Sequence, residues 1–276
     1  MNGTLASDAS RTSATARGAR RTPWVHSRVN VYIARLITVV VLCLIWEWLA
    51  YAGYADERFV GRPSAILASF FKLLTTRSLW SHATSTIAAT LLAFSVGSAL
   101  GIAAGLALAA WPVVDEVVDP IVTALNSIPR VALAPLFILW FGIGIESKAF
   151  AGFSLVFFIL LITTRAGLKN ADPDLLTIAR TLCSTRLQTF LKVVVPISVP
   201  SIFSGLQLAV IYSLLGVVVA EMIASQAGLG VIVSQYAQTF AINDTFAVLI
   251  VLGILSWLLA TAVRVVESRV LRWQKA

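Results

Sequence analysis

The side chains best placed to do chemistry are polar groups set in or beside long apolar runs: Arg130, Glu221 and a hairpin, DPDLLTIARTLCSTRLQTFLKVVVPISVP, from Asp172 to Pro200. Arg130 is the one basic residue well inside an apolar run, and ionisable groups at membrane depth mark a functional pathway by default. It either faces a water-filled path or snorkels to an interface beside a helix break. Glu221 closes another run, where it lines the mouth of a path or simply meets water. Arg35 and Glu47 read as interfacial or buried polar residues. Covalent and metal chemistry finds no support. His26 and His82 are the two histidines, and neither neighbours a ligand cluster. Cys43 and Cys183 form no C-x-x-C pair. No G-x-x-x-x-G-K-[ST] run is present. The chain therefore reads as a non-enzyme without cofactor or metal, and any ATP that drives it is bound by another chain.

The hairpin is patterned as two short amphipathic helices, which a merely solvated loop does not need. Asp172 suits an N-cap, Pro173 the first helical position, and Asp174 the positive end of the helix dipole. Leu175, Ile178, Ala179 and Leu182 recur at helical spacing; after Cys183-Ser184-Thr185 the spacing restarts with Leu187, Phe190, Leu191 and Val194. The five-residue step from Leu182 to Leu187 breaks the phase and predicts a bend, with Pro196 closing the unit. The polar faces carry Thr177, Arg180, Thr181, Arg186, Gln188 and Lys192. This pattern points to a partner that docks from outside the bilayer.

The elements that position these groups are membrane helices. The chain is 58% hydrophobic and 12% charged, whereas soluble domains average about 45–50% apolar and about 25% charged. A span needs roughly 20 helical residues to cross a core of about 30 Å, which predicts six spans at 33–53, 84–110, 117–142, 147–168, 198–222 and 245–265. The net charge of +8 is explained by topology rather than nucleic-acid binding. With both termini cytosolic, the inside segments hold Arg11, Arg17, Arg20, Arg21, Arg28, Arg165, Lys169, Arg180, Arg186, Lys192, Arg264, Arg269, Arg272 and Lys275. The outside segments hold only Arg58, Arg62, Lys72, Arg77 and Lys148. That positive-inside bias places the hairpin in the cytosol. The organisation expected is a disordered basic cytosolic tail (1–30), a first span with an external amphipathic segment (31–82), a transmembrane domain (83–268) and a short cytosolic tail (269–276). The Arg-rich, acid-poor start also suits a transit peptide, but a tail that holds positive charge inside is the preferred reading.

Within the spans, Gly97, Gly101 and Gly105 put a small residue at every fourth position, a stripe that lets helices approach closely within the bundle or between subunits. Pro129 and Pro135 flank Arg130 and each removes a backbone donor, so the third span is interrupted. Gly228-Leu229-Gly230 opens an apolar segment free of Lys and Arg, which suits a helix lying at the outer surface.

The hairpin resembles the coupling motif of ABC transporter permeases, E-A-A-x3-G-x9-I-x-L-P. Thr177 takes the Glu position, Ala179 the second Ala, Cys183 the Gly, Val193 the Ile, Val195 the Leu and Pro196 the Pro. Thr177 lacks the motif's acid, and Cys183 lacks the conformational freedom of its glycine. DPIVTALNSIPRVALAPLFILWFGIG, the A-R-T-L run at Ala179 to Leu182 and AEMIASQAGLG at Ala220 to Gly230 are similar to permeases of the nitrate/sulfonate/taurine uptake group. The resemblance runs from about Pro63 to the C-terminus. It implies an all-α, type I importer-like bundle in a bacterial inner membrane with a cytosolic coupling helix at 172–196. It also implies a permease homodimer, cytosolic ATPase subunits and an extracytoplasmic solute-binding protein, and transport of a small anion such as a sulfonate, taurine or nitrate. Thr177, Ala179, Arg180, Cys183, Arg186, Leu187 and Pro196 then form the ATPase-coupling surface. An ion-coupled secondary transporter is the alternative, but the spans hold few acids and show no convincing internal repeat.

Overall fold

The structure, a computed structural model, describes residues 28–54, 56–170 and 173–274. The expected basic tail lies outside the described residues through position 27, as do the expected N-cap Asp172 and Lys275. Helix α1 runs Arg28–Tyr51; up to Trp48 it belongs to a unit of its own and is an apolar segment long enough to cross a membrane.

The second unit, Leu49–Ala276, is helical at every regular element among the described residues. In order these are α2 (Glu57–Val60), α3 (Pro63–Leu74), α4 (Arg77–Ala110), α5 (Pro112–Ser127), a 3-10 turn (Arg130–Leu133), α6 (Ala134–Phe141) and α7 (Ile145–Lys169). There follow α8 (Pro173–Thr181), α9 (Arg186–Thr189), a π-turn (Phe190–Val194), α10 (Val195–Ile223), α11 (Leu229–Gln238), α12 (Ile242–Val270) and a closing 3-10 turn (Leu271–Gln274). Among the described residues, five helical runs are long and apolar enough to span, and a bent pair makes a sixth if it is one broken span.

That pair is the expected third span. It is not a straight rod from 117 to 142: α5 and the Arg130–Phe141 segment meet at 74°. Ile128 is extended (φ −69°, ψ 128°), the conformation that a following proline imposes. Pro129 is extended too (ψ 93°), so the helix stops at Ser127. Pro135 has no such effect, because it sits in the first turn of α6, where its missing N–H has no intrahelical partner to lose.

The second half of the hairpin also differs from expectation. It does not end at Pro196; α9, the π-turn and α10 form one run, Arg186–Ile223. Pro196 lacks the N–H that would bond to Lys192 and its ring crowds that carbonyl. The helix widens just ahead of it, and Val195 N–H donates to Phe190 O, five residues back. Such single π-turns inside helices are rare and concentrate at functional sites.

The core is the seam among α4, α7 and α10. Gly97, Gly101 and Gly105 all face α7: an added Cβ would lie 2.7 Å from Val156 Cγ1, 2.6 Å from Phe157 O and 2.7 Å from Thr164 Cβ. Helix α10 also meets α7 closely, since a Cβ on Gly216 of α10 would stand 2.8 Å from the Gly152 Cα. With lipid supplying no hydrophobic drive between helices, close backbone approach is what holds such a seam. A second cluster joins Leu73, Leu79, Leu214, Leu229, Val248 and Leu252 across α3, α4, α10, α11 and α12. Helix α11 is thus not laid on a surface: Leu229, Gly230, Ile232 and Val233 are buried in the bundle.

Candidate functional site

The hairpin is built around one carbonyl. Cys183 has φ +52°, the left-handed conformation that usually ends a helix on glycine. Leu182 N–H donates to Ile178 O at 3.1 Å and Ser184 N–H to Ala179 O at 3.2 Å. The second of these is the six-residue closure of a Schellman motif with Cys183 at its left-handed position. Ser184 Oγ also donates to Ala179 O at 2.7 Å and pairs with Thr189 Oγ1 at 2.7 Å. Thr185 then starts the next helix with a reciprocal capping box: Gln188 N–H donates to Thr185 Oγ1 and Thr185 N–H to Gln188 Oε1. The step from Leu182 to Leu187 is therefore a rigid corner.

This corner sorts the predicted residues into two sets. Ala179 is buried against its own unit, while Thr177, Cys183, Arg186 and Leu187 are exposed and Pro196 is half-buried. Ile178, Leu182, Leu187 and Leu191 are exposed as well, Leu182 at 76%. Leu182 and Leu187 therefore stand out from a corner that is held by its own hydrogen bonds. The Arg180 side chain lies outside the described residues.

At the opposite end of α7 lies a site that sequence reasoning found only in part. Glu221 is 1% exposed, so within the chain it faces the helix seam rather than an open mouth. Lys148, read as an outside loop charge, is 4% exposed and places Nζ 3.5 Å from Glu221 Oε1. Thr86 Oγ1 donates to Glu221 Oε2 at 2.9 Å and accepts from Leu229 N–H at 2.8 Å. Gly230 N–H donates to Glu221 Oε2 at 3.0 Å, and Lys148 Nζ also donates to Ala227 O and, at 3.3 Å, to Ser85 Oγ. His82 Nδ1 lies 3.0 Å from both the backbone nitrogen and the carbonyl oxygen of Gly228.

The Gly228-Leu229-Gly230 turn wraps this carboxylate. Gly228 has φ +133°, and a Cβ there would fall 2.0 Å from the Glu221 carboxyl carbon; on Gly230 it would fall 2.4 Å from Val218 O. Gly228 allows close approach to the Glu221 carboxyl, and Gly230 to the Val218 carbonyl and the Glu221 Cβ. The A-G-L-G run was visible in the sequence, but its partners Thr86 and Lys148 lie 135 and 73 residues from Glu221, beyond any local pattern.

Arg130 sits at the break in the third span. Its Nη2 donates to Asn126 Oδ1 at 2.7 Å and to Leu125 O at 3.4 Å, both in the last turn of α5. Its guanidinium lies 4.1 Å from the Phe158 ring centroid on α7. The cation thus caps the carboxyl end of α5, where a positive charge is favoured, and stacks on an aromatic face.

Comparison with known proteins agrees with this architecture. The family model "Binding-protein-dependent transport system inner membrane component" matches residues 97–273. The putative aliphatic sulfonates transport permease protein SsuC of Bacillus subtilis (strain 168) is 30% identical over 241 residues, 87% of each chain. The formylaminopyrimidine transport permease protein ThiX of Halalkalibacterium halodurans is 32% identical, over 86% of this chain and 94% of the relative. A solved chain of the MetNI methionine ABC transporter in inward-facing conformations shares the fold with a TM-score of 0.60 at 22% identity, covering 71% of this chain and 95% of that one. The helical bundle, its spans and the matched region together make this chain a member of the family of inner membrane components of binding-protein-dependent transport systems.

Proposed function

We propose that the chain is the permease subunit of an ATP-driven importer of small anions, and that its α8–α9 corner docks a cytosolic ATPase. The observation that carries this is the rigid Cys183 corner, which presents Leu182 and Leu187 outward while tying down Ala179. The positive-inside bias supports a cytosolic hairpin and cytosolic termini in a bacterial inner membrane. In that orientation the Lys148–Glu221 centre lies toward the outer face, where a solute-binding protein delivers cargo. Two permease copies form the pathway, each gripped by one ATPase subunit. Thr177, Ala179, Arg180, Cys183, Arg186 and Leu187 make up the dock, with Pro196 and its π-turn joining it to α10. ATP-driven closure of the ATPase pair moves the corner, and the spans exchange access between faces.

The anion assignment rests on the sulfonate relative. The ThiX relative shows that similar permeases are also named for a heterocyclic cargo. The test is purification of the tagged chain with its neighbouring ATPase and binding protein, followed by taurine uptake into proteoliposomes. ATP-dependent uptake that Ala179→Glu abolishes, with insertion unchanged, is the expected result. Uptake by the chain alone under an ion gradient would overturn it and favour a secondary transporter.

A further inference from the structure

Where α7 leads into the hairpin, four side chains on two helices form one ionic tie. Asp115 and Asp119 stand a turn apart in α5, and Arg165 and Lys169 a turn apart at the end of α7. Arg165 Nη2 lies 2.6 Å from Asp115 Oδ1 and 2.7 Å from Asp119 Oδ1, and Lys169 Nζ lies 2.7 Å from Asp115 Oδ2. The Asp115 and Arg165 side chains are each 8% exposed, whereas Asp119 and Lys169 are more than half exposed. A buried ion pair adds little net stability, because desolvation offsets the attraction, yet losing one partner strands a charge. What such a pair does well is fix two elements in one arrangement.

The element it fixes has little else to hold it. Of the 16 residues of α5 only Asp115 and Val122 are buried, and Val113, Val117 and Ile121 are exposed. At its far end α5 is held by Arg130, which bonds Asn126 and Leu125 and stacks on Phe158 of α7. Helix α5 is therefore fastened to α7 at both ends, by Asp115–Arg165 and by Arg130–Phe158. Its tie to Lys169 lies four residues before Pro173, the first residue of α8.

We propose that the Asp115/Asp119–Arg165/Lys169 tie transmits displacement of the hairpin into α5 and so into the broken span, with Asp115 and Arg165 as positioning residues for the transport cycle. This rests on the reading of the hairpin as an ATPase dock. A rod carries motion between two places only if it is fixed to the part that is driven. The hairpin follows α7 directly, so α7 is driven; α5 follows through the tie.

The test uses the full chain assembled with its ATPase in nanodiscs, spin-labelled at Val117 and Ile162, exposed positions on α5 and α7. The distance between labels is measured without nucleotide and with ATP plus vanadate. In the otherwise unaltered chain it stays within about 2 Å, the scale of a small helix shift. In Arg165→Gln it changes by more than that between the two states, while ATP hydrolysis is retained, and Arg165→Lys, which keeps the charge, changes it less. Should Arg165→Gln fail to assemble, Asp119→Asn leaves the buried pair in place and broadens the distance distribution. An Arg165→Gln or Asp119→Asn complex with the unaltered distribution overturns the tie and leaves the docking reading standing. A chain that never retains an ATPase overturns the docking reading itself.

Discussion

Lys148 Nζ and Glu221 Oε1 lie 3.5 Å apart with both side chains almost fully buried, and the turn that follows α10 is folded over the carboxylate. Removing one member of such a pair strands the other, which costs about 3–5 kcal/mol, whereas replacing both with apolar groups is often neutral. Lys148→Met and Glu221→Leu each lower the melting temperature of the detergent-solubilised protein, and the double variant loses less than the sum of the two single losses. Additive losses in a double-mutant cycle would show that the two groups act independently.

Gly228 of that turn provides a sharper check. Gly228→Ala pushes a methyl group onto the Glu221 carboxyl and forces a non-glycine residue to φ +133°. It is expected to destabilise by several kcal/mol, in the range of strain combined with a disrupted buried polar group. Gly253→Ala is the control: nothing lies within 4 Å of an added Cβ. Alanine is the better helix former by about 1 kcal/mol, so this variant melts no lower than the parent. Thermal melts of the two variants side by side decide it, and equal losses would remove the steric argument.

The contrast between Gly228 and the hairpin shows which parts of the molecule are local enough to read from sequence. The corner between Leu182 and Leu187 is visible as a phase break, because its hydrogen bonds close within six residues, from Ala179 to Ser184. The Gly97–Gly105 stripe is visible as a four-residue period, though not which helix it meets. Of the Lys148–Glu221–Thr86 centre only Glu221 stands out in the sequence, since the three residues lie on α4, α7 and α10 and no periodicity relates them. The continuity of α9 with α10 was hidden for another reason: Pro196 normally signals a stop, and a single π-turn removes the conflict.

Cys183 occupies the place where the coupling motif has glycine, and its φ of +52° shows that the backbone there keeps the glycine conformation. A non-glycine residue in that region is disfavoured by roughly 1–2 kcal/mol, part of which is offset by the greater freedom glycine loses on folding. Cys183→Gly therefore retains transport and protects the Ser184 amide at least as well against hydrogen exchange. Cys183→Val, β-branched, opens the corner and reduces ATPase-coupled uptake. Faster exchange in the glycine variant would contradict the role given to the left-handed turn.

Arg130 raises the last question, whether its charge serves cargo or the broken span. Its guanidinium bonds Asn126 and Leu125 and lies 4.1 Å from the Phe158 ring centroid. Lysine keeps the charge but lacks the planar fork that stacks and bonds at once. If the role is to hold the break, Arg130→Lys and Phe158→Leu produce the same defect: uptake falls severalfold at every substrate concentration, with the apparent KM little changed. The Phe158 contact is worth about 0.5–2 kcal/mol, depending on how dry the site is, which matches a severalfold effect rather than abolition. If instead the charge attracts an anion, Arg130→Lys is mild and Phe158→Leu milder still, while Arg130→Gln raises KM steeply. Taurine uptake measured across concentrations for the three variants separates these outcomes, and we expect the first. The cation is already committed to the end of α5 and to the ring on α7, and a group so engaged has little freedom left to follow a moving substrate.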